Sequence, residues 1–273
     1  MNDVGRHLPL DVEALWDFSD PAESERRFRE AMPTATGDDA LILQTQIART
    51  LSLRDRFEEA HDVLDGLQVS SASVEPRVRL LLERGRTLRS SGKPVDAEAP
   101  FRSAFELAES ANLGFLAGDA LHMIALVQET PDAQIEWHRR TVDYARGSVD
   151  VNAKAWEASA LNNLGVTLSE VGRHDEALVA FRDALAAYER AGRVDDIPVA
   201  RWMVANTLRR LGRLDEAVAI QLALEEEFDA AGQTDPYVYE ELAELFTVLG
   251  DRNKAAHYRA LHRRVSATGV GPR

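Results

Sequence analysis

Arginine, asparagine and tryptophan are the side chains through which this chain can do chemistry, and the chemistry they support is recognition. Of the 32 basic residues only Lys93, Lys154 and Lys254 are lysines, a bias that reflects a GC-rich genome more than selection for bidentate binding, although each guanidinium fork does match a carboxylate bidentately. Asparagine amides donate and accept at once and can pair with a peptide backbone whatever its side chains. Reactive constellations are missing. The seven histidines, His7, His61, His122, His138, His174, His257 and His262, have no histidine partner four residues away and no zinc-ligand spacing. Glu136 and His138 stand two apart, which on a helix points them in different directions. There is no cysteine, hence no disulfide, thiolate metal site or thiol nucleophile. Gly-x-Ser-x-Gly, phosphate-binding glycine loops and kinase signatures are also absent. The chain reads as a non-enzyme without cofactor or metal.

The elements that must position these side chains announce themselves by a period. A small residue recurs at Ala48, Gly85, Ala125, Gly165, Ala205 and Ala243, at separations of 37, 40, 40, 40 and 38. Twelve residues beyond each comes an alanine, Ala60, Ala97, Ala177, Ala217 and Ala255, and only the third unit breaks step, with Ala133 eight residues on. A constant period of this length marks a helical repeat. In the fourth unit Leu161, Leu164, Gly165 and Leu168 are spaced as one helix face, and Ala177, Phe181, Ala184 and Leu185 as a second. Between them, Asp55, Gly92, Gly172, Gly212 and Gly250 stand seven residues after the small residue, where a helix end favours positive φ. Carboxylates such as Asp175, Glu176, Asp215 and Glu216 then open the next helix, opposing its dipole. Each hairpin needs a neighbour to cover its apolar stripe. Gly165 and Ala177 let two helix backbones approach closely.

Leu161-x2-Leu164-Gly165-x2-Leu168 followed by Ala177-x3-Phe181 resembles the tetratricopeptide repeat, as do Leu81, Gly85, Leu88, Ala97 and Phe101 in the second unit. The period near 40 is similar to the extended repeats of kinesin light chains. The closing proline of the family is missing, and Gln221 and Arg259 occupy the aromatic slot of the last two units. The resemblance implies an all-α, right-handed α-α superhelix, a solenoid of about six helix-turn-helix repeats over 41–70, 78–111, 118–147, 158–191, 198–231 and 236–265. Ser19-Asp20-Pro21 starts a helix carrying Ser24, Phe28 and Ala31, read as a capping half-repeat over 11–32. A flexible start over 1–10 and a disordered tail over 266–273 complete a single solenoid domain over 11–265. The third unit lacks four residues, about one helical turn, around Gln128-Glu129-Thr130-Pro131-Asp132, which is either a notch for a partner or a tolerated loop deletion.

The resemblance further implies that the first helices line a concave groove that holds extended peptides. Groove slots three and two before, one after and four after the small residue single out Arg49, Arg86, Arg89 and Arg209 as forks for a carboxylate. They single out Asn162, Asn163 and Asn206 as backbone partners, and Trp202, Met203 and Met123, with His122 beside them, as a seat for an apolar anchor. Glu240, Glu241 and Glu244 turn the last unit acidic. Alternatives stand beside each: the arginines can pair with Glu83, Glu129 or a neighbouring helix, Trp202 can be core, and Asn163 and Asn206 can bridge adjacent helices.

Composition narrows the partners. Asp and Glu outnumber Lys and Arg 46 to 32, a net charge of −14, which repels a phosphate backbone at long range. No apolar run approaches the roughly 20 residues that cross a membrane, and the opening residues resemble no secretory signal. The expectation is a cytoplasmic interaction scaffold that binds an acidic or C-terminal peptide or protein partner, and neither nucleic acid nor membrane. A peptide-sensing regulator of a separate effector and a homo-oligomeric scaffold are the alternatives.

Overall fold

The computed structural model describes residues 10–267. The expectations for 1–9 and for 268–273 lie outside the described residues; Ser266 and Ala267 complete the last helix. Thirteen α-helices and no strands occur among the described residues. They are α1 (Pro21–Ala31), α2 (Asp38–Ser52), α3 (Phe57–Asp65), α4 (Val74–Ser90), α5 (Pro94–Ser110), α6 (Gly114–Leu126), α7 (Pro131–Gly147), α8 (Trp156–Glu170), α9 (His174–Ala191), α10 (Ile197–Arg210), α11 (Leu214–Ala230), α12 (Pro236–Val248) and α13 (Arg252–Ala267).

The hairpin turns follow from one backbone device. Asp55, Gly92, Gly172, Gly212 and Gly250 all have positive φ, from 58° to 82°. The next N–H reaches back to close the helix, as Arg173 N does to Leu168 O at 2.9 Å and Arg213 N to Leu208 O at 2.9 Å. The following arginine then pairs with the glutamate three residues on, Arg173 with Glu176 at 2.7 Å and Arg213 with Glu216 at 2.6 Å. At the front, the Asp20 carboxylate accepts from Ala22 N and Glu23 N with Pro21 in the first turn, and Phe28 of α1 is fully buried against α2.

The chain divides into two compact units. The first, residues 10–133 with 147–154 of those described, stacks α1 to α6 in chain order. Its first helices also touch directly, α2 against α4 and α4 against α6. The second, residues 134–146 with 155–267, holds most of α7 and then α8 to α13, with α9 packed on both α8 and α10, and α10 against α12. The periodic small residues are all buried: Ala48, Ala125 and Ala205 fully, Ala243 nearly so, and Gly85 and Gly165 likewise. A Cβ on Gly85 would strike the Phe101 ring, and one on Gly165 the Phe181 ring. In the third unit the missing residues come from the end of α6, which stops one residue past Ala125, whereas α8 runs five past Gly165.

Candidate functional site

Direct contact between successive first helices places their charged side chains on one another. In the first unit, Arg86 of α4 reaches forward with Nη2 to both carboxylate oxygens of Asp119 on α6, each at 2.5 Å, and Nη1 donates to Glu83 at 2.5 Å. All three are largely buried, the side chains 13%, 7% and 3% exposed. Burial alone would lower the Arg86 pKa, but Asp119 and Glu83 outweigh it and hold it above the ordinary value. Arg49 of α2 stands 3.8 Å from Glu83. Its guanidinium lies 5.4 Å from the Trp16 ring and 5.5 Å from that of Phe18, two rings stacked 4.6 Å apart. Trp16 is anchored by its indole N–H, which donates to Gln46 at 3.0 Å. Burial, reinforced by the like charge of Arg86, lowers the Arg49 pKa.

Two further residues complete this face. Arg89 is exposed and makes no ion pair among the described residues. His122 is half-buried, and its pKa falls to about 4, chiefly by burial, with Arg86 and Arg89 adding to the effect against Asp119. At neutral pH the cluster therefore sets three arginines against Glu83 and Asp119, with His122 uncharged. Met123, by contrast, is 7% exposed and packs as core, so it offers little to an anchor.

In the second unit, α10 lies on α12 and the arrangement closes on itself. Arg209 forks onto Glu241 at 2.6 and 3.1 Å, and the Asn206 amide donates to the same carboxylate at 2.8 Å. The hydrogen bond from Arg209 to Glu241 raises the Arg209 pKa despite partial burial. The Asn206 carbonyl accepts from Arg210 at 3.0 Å. Trp202 donates its indole N–H to Tyr237 O at 3.1 Å and meets the Tyr237 ring edge-on, while Met203 packs against the core. On α8, Asn162 and Asn163 are half-buried, and their side-chain amides have no protein partner among the described residues.

Two expectations are thereby corrected. Arg86 and Arg209 do not present free forks, because first helices in direct contact bring a carboxylate of the next helix within reach of each. Asn206 bridges helices for the same reason. Arg49, Arg89, Asn162 and Asn163 retain groups that can face a ligand. Asp119, Trp16 and Phe18 were not among the anticipated residues. Asp119 lies six before Ala125, outside the slots counted; its signal was that it is the one charged residue of α6, Gly114–Leu126.

Stacked hairpins held by small-residue contacts, with polar side chains shared between first helices, define a helical-repeat protein. Residues 156–222 match the tetratricopeptide repeat family, and the fold of the chain is similar to that of known repeat proteins. Apo RapI superposes with a TM-score of 0.73 at 11% identity, over 94% of this chain and 74% of that one. A STAND signal-transduction ATPase with a tetratricopeptide repeat sensor, from Pyrococcus horikoshii, gives 0.70 at 12% identity over 89% of this chain, which spans 38% of that protein. A kinesin light chain with nearly identical repeats, from Podosopora anserina, gives 0.60 at 14% identity over 71% of this chain and 96% of that one. At these identities the likeness is one of fold. No helix among the described residues is long and apolar enough to cross a membrane.

Proposed function

We propose that the protein is a non-catalytic scaffold that binds an acidic or carboxylate-ended peptide segment on the face formed by α2, α4 and α6. The observation that carries this reading is the cluster of Arg49, Arg86 and Arg89 against only two carboxylates, on a chain of net charge −14. Arg86 is held by its own carboxylates and serves to position the cluster. Arg49, beside two stacked aromatic rings, and the unpaired Arg89 are the groups that meet the ligand. A carboxylate entering there is drawn by the surplus positive charge, and Arg49, already desolvated by burial, gives up little further water on meeting it.

The test is affinity capture from lysate of the source organism, comparing wild type with Arg49→Gln/Arg89→Glu. Recovery of a partner by wild type alone, followed by direct titration with its acidic segment, supports the reading. Identical recoveries with both baits sink it. A second reading is favoured by the likeness to the sensor-bearing ATPase: the bound segment is a signal, and the protein passes it to a separate effector. Loss of the effector from the capture on adding excess acidic peptide would distinguish that case.

A further inference from the structure

The last helix has a charge pattern unlike the rest of the molecule. α13, Arg252–Ala267, carries Arg252, Lys254, Arg259, Arg263 and Arg264 without one Asp or Glu, in a chain of net charge −14. Elsewhere most arginines are matched by neighbouring acids, as in Arg146 with Glu157 and Asp183, Arg201 with Glu227, and Arg209 with Glu241. None of the five cations of α13 makes an ion pair among the described residues. Lys254 lies over the Phe246 ring and Arg259 donates to Thr247. The helix is held from one side: Ala255, Tyr258 and Val265 pack on α12, and the Tyr258 hydroxyl donates to Glu225 of α11 at 2.9 Å.

Along the exposed flank of the helix, the 3.6-residue turn places Arg252, Arg259 and Arg263 in one stripe, spaced about 10 Å and about 6 Å along the axis. Ala256 and Ala260 lie beside it, and all five are exposed. We propose that this stripe docks an acidic α-helix of a partner protein. Carboxylates four and seven residues apart on such a helix repeat at the same two distances, and the alanines let the two backbones approach. The face has no large apolar side chain to bury in a lipid surface. Duplex DNA, with a charge every ~1.7 Å, is repelled by the acidic body far more than a helix bearing about one carboxylate per turn.

The experiment is fluorescence anisotropy on the full chain at about 50 mM salt, where exposed charges are weakly screened. The probe is a labelled alanine-rich peptide about 20 residues long with glutamates at four- and seven-residue spacing. Controls are the same composition interrupted by a central proline, and a DNA duplex. Arg252→Glu/Arg259→Glu/Arg263→Glu, with unchanged circular dichroism, is expected to bind roughly tenfold or more weakly. In the Arg49→Gln/Arg89→Glu background, where the acidic-segment face proposed above is removed, the peptide is expected still to bind, and adding the triple substitution there is expected to weaken that binding roughly tenfold or more, which separates the two surfaces. Absence of binding by wild type, equal binding by the triple variant, equal binding of the proline peptide, or tighter binding of DNA would each overturn the proposal.

Discussion

Phe101 and Phe181 fill the space that a Cβ on Gly85 and Gly165 would need, so the aromatic ring and the missing side chain sixteen residues earlier form one packing unit. Gly165→Leu is expected to lower stability by about 3 kcal/mol, because both ring and helix must move in a close-packed core; an unchanged melting temperature would refute the pairing. The same register explains the departure at the fifth unit. There the small residue is Ala205, whose Cβ leaves no room for a ring, and the slot sixteen on holds Gln221, fully buried with neither amide atom hydrogen-bonded. Gln221→Leu is therefore expected to raise stability by about 1–3 kcal/mol in denaturant titration, by removing stranded polar atoms. Gln221→Phe should be tolerated only with Ala205→Gly. His122 supplies a pH signature. Its folded pKa of about 4 lies below the ordinary value of 6.5, so between these the unfolded chain binds the extra proton. Stability from this group is present above about pH 6.5 and declines as pH falls toward 4, by up to about 3 kcal/mol. His122→Asn should flatten the stability profile between pH 5 and 7 (roughly the upper part of that window); a retained slope would assign it elsewhere. The small-residue slots were legible from spacing alone, since a period survives without knowledge of partners. The burial of Arg86 was not, because it depends on Asp119, 33 residues away on another helix.

Among elements, the hairpin turn carries the most information. Five turns share a residue at positive φ followed by a back-bonding N–H, and four of those residues are glycine while the first is Asp55 at φ 58°. A side chain in that region is strained, so Asp55→Gly is expected to stabilise the first hairpin by about 0.5–1 kcal/mol, partly offset by greater freedom in the unfolded chain. Gly172→Ala should cost about 1 kcal/mol by the same argument, and chemical denaturation of the two variants checks both signs. Helix starts and stops were readable because glycine turns and first-turn carboxylates act locally. The third hairpin was readable only as a deletion. The structure shows which part it removed, the last turn of α6, while α7 keeps a length of 17 residues. Spacing could not distinguish these, because a four-residue loss shifts every later position alike whichever side of the turn it comes from.

At the scale of the whole molecule, what matters is how far a disturbance travels. In the second unit α9 packs on α8 and α10, and α11 on α10 and α12, so contact runs from neighbour to neighbour with little that reaches across. Such an array stores stability in each hairpin and its adjoining interfaces, and does not gather it into one central core. Gly165→Leu strikes the interface between α8 and α9, where Leu164, Leu168, Ala177 and Phe181 belong to the same buried cluster as Val204 and Leu208 of α10. Local opening should thus become easier in α8, α9 and α10 first. Hydrogen exchange followed by mass spectrometry under native conditions is expected to show lost protection in those helices, with the amides of α2 to α5 exchanging as in wild type. If protection instead falls uniformly from α2 to α13, the chain opens as one cooperative body, and the nearest-neighbour account of its stability is wrong even though the repeat geometry is right.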